Sequence, residues 1–198
     1  PEVKIIASQM GVKVKWRKTE LCEDAVTLDM VVADAVPENM AWDYIVTMQP
    51  TSPTLSYHTL DLAIEYAIKN NLDTVISAIN APHLSWREMN GKKIPNYTER
   101  LNRQYLPPYY IETGAFVVSK ATVVNAQSRI GKKVDLYEVP EDESHDIDTF
   151  EDLYRVAATL NPQKVAIYVN GNNKRGIGHI YRALEIADEF YTKPDIYY

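Results

Sequence analysis

Apolar positions change their period several times along the chain, and each change predicts an element. Val3, Ile6, Ala7 and Met10 recur at helical spacing, with Gly11 where a helix end takes a left-handed residue. Val12 to Trp16 alternates apolar and basic residues and predicts a short strand. Ala25, Leu28, Val31, Val32 and Ala35 return to helical spacing over 24–36. Asp43 to Met48 reads as a buried strand broken by Pro50 and Pro53. An amphipathic helix follows over 56–70, with Leu62, Ala63, Tyr66 and Ala67 on one face, and then a strand from Thr74 to Ala78.

This alternation of strand and helix is the pattern of a mostly parallel sheet covered on both faces. It lapses over 81–112, where prolines stand at 82, 95, 107 and 108. A stretch of that length is expected to be a lid, a binding arm or a partner contact. Order resumes with a strand at Ala115–Ser119, a helix near 121–128, a strand at Val134–Val139 and a helix from Thr149 to Leu160. Asn161-Pro162-Gln163 reads as a boundary, giving a first domain over 1–161. Residues 162–198 then form the opening strand, helix and strand of a second module, too small to bury a core alone. With Pro1 at one end and the strand-like Asp195 to Tyr198 at the other, both ends are expected to be cut from a longer polypeptide.

Of 198 residues, 45% are hydrophobic and 24% charged, as in soluble globular proteins. No apolar run is long enough to span a membrane. A net charge of -6 argues against a nucleic-acid binder, which needs a basic surface. The lone Cys22 cannot form an internal disulfide, fits a reducing cytoplasm, and reads as a buried small hydrophobe.

Four groups of residues could carry chemistry. Gln49-Pro50-Thr51-Ser52-Pro53 follows a buried strand, where open α/β sheets bind ligands, and offers an amide and two hydroxyls to a base or ribose. The alternative is a strand-to-helix turn with Thr51 or Ser52 as a local cap. Asp146 and Asp148 point to one side of an extended segment, which suits Mg²⁺ bound by two carboxylates and substrate phosphate oxygens. Against that, Asp148 and Glu151 fit a capping box, which accounts for Asp148 and not for Asp146. Arg100, Arg103 and Gln104 could hold an acidic sugar's carboxylate, or belong to a solvated arm. Nearby, Gly114 in Thr113-Gly114-Ala115 allows close backbone approach to a ligand. Gly171 to His179 links a strand to a helix and could receive an anion, although Gly176-x-Gly178 has Tyr181 in place of a third glycine. His179 could serve as a base, or cap or simply face solvent. His58 and His83 have no zinc-ligand partners at usable spacing.

Taken together, these segments resemble the acylneuraminate cytidylyltransferases. Arg17 to Asp24 is similar to the family's arginine–proline–x–glutamate–leucine–alanine–x–aspartate segment, with Lys18 in the proline position. Gln49 to Pro53 resembles its glutamine–proline–threonine–serine–proline loop. Arg103-Gln104, Leu106-Pro107 and Thr113-Gly114-Ala115 resemble its later signposts, with Thr113 in place of asparagine. Asp146-Ile147-Asp148-Thr149 resembles its late aspartate–isoleucine–aspartate–threonine motif.

The resemblance covers about 1–160 and implies a nucleotide-diphospho-sugar transferase fold, GT-A-like and Rossmann-like, with a mixed sheet and helices on both faces. It implies CTP and Mg²⁺, with Asp146 and Asp148 as catalytic metal ligands. It gives nucleotide contacts to Arg17, Gln49, Thr51 and Ser52, and sugar contacts to Arg103, Gln104, Thr113 and Gly114. A cytoplasmic homodimer is implied, its irregular arm reaching the partner's sugar site. The reaction implied is attack of a sialic-acid-like 2-keto sugar acid on the α-phosphate of CTP, with release of pyrophosphate. Another sugar nucleotidyltransferase of the same fold, or a non-catalytic interaction remnant, is the alternative. The family's N-terminal strand and nucleotide loop would precede Pro1, so this stretch alone is expected to turn over CTP poorly. His83-Leu84-Ser85-Trp86 stands where sialate enzymes carry histidine–proline–x–lysine, which opens the sugar to other nonulosonic acids. Residues 164–198 resemble the start of the UDP-sugar hydrolase of pseudaminate biosynthesis and of related glycosyltransferases. That likeness implies roles for Gly178, His179 and Arg182 in a second sugar-nucleotide module.

Overall fold

The computed structural model describes residues 2–36, 41–162, 164–171, 176–190 and 195–197. They form two compact units. The first comprises Pro1–Gln49 and Ser56–Val139, the second Pro50–Leu55 and Pro140–Tyr198. Compactness therefore divides the chain at 139/140 and around one short loop, while 161/162 lies within the second unit.

The first unit begins with α1 (Glu2–Gln9), and α2 spans Leu28–Ala35. The predicted end at Gly11 forms: Gly11 has φ +71°, its N–H reaches the Ser8 carbonyl, and the Val12 N–H reaches that of Ala7. Residues 12–16 are not a strand, because no neighbouring strand pairs with them. Helix α2 starts later than the pattern predicts, at a cap where the Thr27 hydroxyl accepts from the Met30 N–H.

The central sheet holds β1 (Tyr44–Met48), β2 (Thr74–Asn80), β5 (Tyr110–Lys120) and β6 (Val134–Glu138) in the order β1-β5-β2-β6. Strand β2 is parallel to β6, and β5 runs antiparallel to both β1 and β2. The sheet is therefore mixed, and the architecture is α/β. Helix α3 (Tyr57–Lys69) is capped by Ser56 and buries Ala63 and Ala67. It joins a core of Val75, Ile76, Ala78, Ala115, Phe116 and Val118. Full burial of these side chains stabilises by roughly 1.5–3 kcal/mol each for the larger ones.

Asp73 fixes the entry to β2. Its carboxylate accepts from the backbone N–H groups of Lys132 and Lys133 at 3.1 and 3.0 Å and pairs with the Lys120 ammonium at 3.4 Å. Gly131 is required there, since a Cβ at that position would stand 2.3 Å from the Asp73 Cβ.

The irregular stretch contains a hairpin, β3 (Trp86–Met89) with β4 (Lys92–Pro95), turning at Asn90-Gly91 with φ of +54° and +72°. Both values suit the tight hairpin turn that Asn-Gly favours. The helix expected near 121–128 is only a short 3₁₀ turn at Ala121–Val123. The Asn125 side chain accepts from the N–H groups of Gln127 and Ser128, and this local turn replaces the helical ladder.

In the second unit, α4 (Phe150–Leu160) is followed by β7 (Ala166–Tyr168), α5 (Gly178–Asp188) and β8 (Asp195–Tyr197), with β7 parallel to β8. No helix among the described residues is long and apolar enough to cross a membrane.

Candidate functional site

In the second unit, the loop 50–55 and the segment before α4 are joined backbone to backbone. The Ile147 N–H donates to the Thr51 carbonyl at 2.8 Å. This sets the hydroxyl-bearing turn beside the residue that separates Asp146 from Asp148. Ser52 and Thr54 are buried, and neither hydroxyl has a hydrogen-bond partner; nor does the buried Oδ1 of Asp146. A carboxylate oxygen withdrawn from water without a partner is costly, and a ligand or cation offsets that cost.

Asp148 is exposed, and it does not cap the helix. The box is formed one residue later: the Thr149 hydroxyl accepts from the Asp152 N–H at 3.2 Å, and the Asp152 carboxylate accepts from the Thr149 N–H at 2.9 Å. The pairing of Asp148 with Glu151 expected from sequence is thus displaced by one position, because Thr149 is the residue with extended backbone at the cap. The Thr149 side chain, first, and its backbone N–H hold the Asp152 carboxyl below the ordinary carboxylate value. Asp148 gives only its N–H to this cap, at 3.3 Å, and keeps its carboxylate outside it.

Both acids supply hard oxygen donors of the type Mg²⁺ takes, and the orphaned Asp146 oxygen fits such an ion. Among the described residues no group of three or more histidine, cysteine or acidic side chains forms a fuller metal cage. Asp146 and Asp148 would be the residues to hold such an ion, since one or two carboxylates suffice when a substrate supplies phosphate oxygens.

In the first unit, Gln49 follows β1 and is exposed; its N–H donates to the Ala115 carbonyl at 3.3 Å. Ala115 belongs to a bulge in β5. The β2–β5 register passes from Ile76↔Val117 to Ala78↔Glu112, which leaves Thr113 to Phe116 opposite Ser77 alone. Gly114 has φ +73° within that bulge and is exposed. The Thr113 hydroxyl is not free for a sugar, since it donates to Ser77 Oγ at 2.8 Å. Ser77 escaped the sequence reading. The available signal was a single small polar residue inside the apolar run Thr74 to Ala78.

Arg17 is exposed, in an extended segment whose neighbours Lys15 and Lys18 pair with Asp34 at 3.3 and 2.5 Å. Lys18 is chiefly responsible for holding the Asp34 carboxyl below its usual value. Arg103 and Gln104 lie exposed in a 3₁₀ turn, Arg103–Tyr105. That arm also lines a cavity of about 270 Å³ with His83, Asn96, Tyr97, Glu99 and Tyr109. Cys22 is exposed, not buried, because residues 19–22 form a surface 3₁₀ turn. In α5, His179 and Arg182 are exposed at a spacing that shares one helix face, and Gly178 opens the helix. The rest of the expected anion loop, residues 172–175, lies outside the described residues.

No known family model matches the chain. Over 154 residues it is 27% identical to N-acylneuraminate cytidylyltransferase A of Danio rerio, covering 74% of this chain and 36% of that protein. Over 163 residues it is 26% identical to N-acylneuraminate cytidylyltransferase of Streptococcus agalactiae serotype III, covering 78% of this chain and 39% of that protein. The chain thus spans well under half the length of these curated relatives. Among solved structures it is similar to the 4-diphosphocytidyl-2C-methyl-D-erythritol synthase of Anaerococcus prevotii, with a TM-score of 0.57 and 14% identity. That likeness covers 80% of this chain and 75% of that one. It shows a common fold, and the sequence likeness is to cytidylyltransferases.

Proposed function

We propose that this chain is part of a cytidylyltransferase that transfers CMP from CTP to a sialic-acid-like nonulosonic acid and releases pyrophosphate. The likeness to N-acylneuraminate cytidylyltransferases supports the reaction class. The observation that carries the site is the Thr51–Ile147 hydrogen bond, beside which Asp146 keeps one buried carboxylate oxygen unpartnered.

In this reading Asp146 and Asp148 hold Mg²⁺, which when bound neutralises charge on the triphosphate. Thr51 and Ser52 offer hydroxyls to the nucleotide, and Gln49 and Arg17 offer an amide and a guanidinium to it. Arg103 and Gln104 recognise the sugar acid, whose carboxylate suits a bidentate guanidinium. Gly114 presents backbone rather than side chain to the ligand, and Thr113 acts through the bulge it stabilises. A cytoplasmic homodimer, its irregular arm contributing to the partner's sugar site, belongs to the same proposal. So does a second sugar-nucleotide module beginning near 162, in which Gly178, His179 and Arg182 form the working face.

Nucleotide choice tests the reading. In the intact protein with Mg²⁺, CTP should raise the melting temperature more than UTP or GTP does. Equal protection by all three, or none by CTP, contradicts it.

A further inference from the structure

We propose that Ser77 is a positioning residue: its hydroxyl fixes the Thr113–Ala115 bulge and, through that bulge, the backbone of Gln49 at the end of β1. Its consequence for substrate rests on the proposed function; its geometry does not.

A ladder interrupted over four residues of one strand leaves backbone groups without partners. Phe116 is fully buried, so water cannot satisfy its N–H and C=O. Ser77 Oγ does so, donating to the Phe116 carbonyl at 3.0 Å and accepting from the Phe116 N–H at 3.0 Å. Its second lone pair accepts from the Thr113 hydroxyl at 2.8 Å. One donor and two acceptors are the whole capacity of a hydroxyl, and Ser77 uses all of it.

The constraint then passes outward. Thr113 Oγ1 accepts from the Ala115 N–H at 3.4 Å, and the Ala115 carbonyl accepts from the Gln49 N–H at 3.3 Å. Thr113, Gly114 and Ala115 have no ladder partner in either register. Their position is therefore set by this hydroxyl relay and by the left-handed Gly114, not by the sheet. Alanine at 77 would orphan two buried backbone groups. A larger polar side chain has no room, since Ser77 is fully buried.

The test is residue-resolved amide exchange by NMR, with steady-state kinetics, on the intact protein and its Ser77→Ala and Ser77→Cys variants. Phe116 and Gln49 amides are expected to exchange roughly tenfold faster or more in Ser77→Ala, with Val75 and Val118 little changed. Ser77→Cys, whose bulkier sulfur is a weaker donor and a weaker acceptor, should also exchange faster than wild type at Phe116. KM for both substrates is expected to rise several-fold with a smaller change in kcat. Wild-type exchange at Phe116 and Gln49 in Ser77→Ala overturns the proposal, as does uniform acceleration across β2 and β5. Unmoved KM with altered exchange overturns the link to substrate. If Ser77→Ala does not fold, Thr113→Val is decisive: faster exchange at Ala115 and Gln49 supports the relay, and unchanged exchange overturns it. If the wild-type protein has no turnover, the exchange data still decide the positioning, and only the proposed function falls.

Discussion

The Ile147 N–H and the Thr51 carbonyl, 2.8 Å apart, tie the turn after Gln49 to the peptide between two aspartates. The consequence is electrostatic. Asp146 has a buried oxygen without a partner, a costly arrangement when no cation is present. Asp146→Asn is therefore expected to leave the metal-free melting temperature unchanged or to raise it. The same change should lower Mg²⁺-dependent CTP turnover by roughly a hundredfold or more. Thermal melts without Mg²⁺, paired with turnover assays, check both halves.

The two carboxylate readings separate at the start of α4. Thr149→Ala removes the hydroxyl that caps the helix and should cost about 1 kcal/mol of stability. Asp148→Asn touches no part of the cap made by side chains, so its melting temperature should stay at the wild-type value while turnover falls. A melting temperature lowered by Asp148→Asn as much as by Thr149→Ala would return Asp148 to a structural role.

Asp73 should contribute to acid sensitivity, alongside Asp34 and Asp152. The Lys133 N–H, first, then the Lys132 N–H and the Lys120 ammonium hold the Asp73 carboxyl below the ordinary carboxylate value. A folded value below the unfolded one gives a contribution that is complete above the unfolded value and lost as pH falls through the folded one. Asp73→Asn should flatten the fall in melting temperature as pH drops through and below the ordinary carboxylate range. Gly131→Ala, which drives a methyl into Asp73, should destabilise by about 1–3 kcal/mol at neutral pH.

Sugar recognition is expected to lie with the arm. Arg103→Ala should raise KM for the sugar acid about tenfold or more with little change in KM for CTP. Arg103→Lys should recover only part of the loss, because an ammonium lacks the bidentate fork. Saturation curves in each substrate distinguish this from a general loss of folding.

What could be read from the sequence depended on range. The end of α1 was legible because Gly11 alone admits the left-handed turn that closes it. The strands at 44–48 and 74–80 were legible from apolar runs between turn residues. The Asn90-Gly91 hairpin carried a local signal that the surrounding prolines obscured. The expected helix after Ala121 failed because one asparagine side chain, Asn125, outcompetes the helical ladder. The cap on α4 was misplaced by a single residue, as end positions are set by backbone angles more than by residue type. Ser77 stood out in the sequence only as a small polar residue in an apolar run; its role exists because β5 is antiparallel and slips register there. For the candidate site, residue types at 49–53 and 146–148 were visible, whereas the hydrogen bond that joins 51 to 147 is tertiary.

The most direct measurement is pyrophosphate release by the intact protein from CTP and Mg²⁺ across a panel of nonulosonic acids, with Asp146→Ala in parallel. Release with at least one such sugar acid, abolished in Asp146→Ala, is the result predicted. No release with any of them, or equal release by the variant, contradicts the assignment.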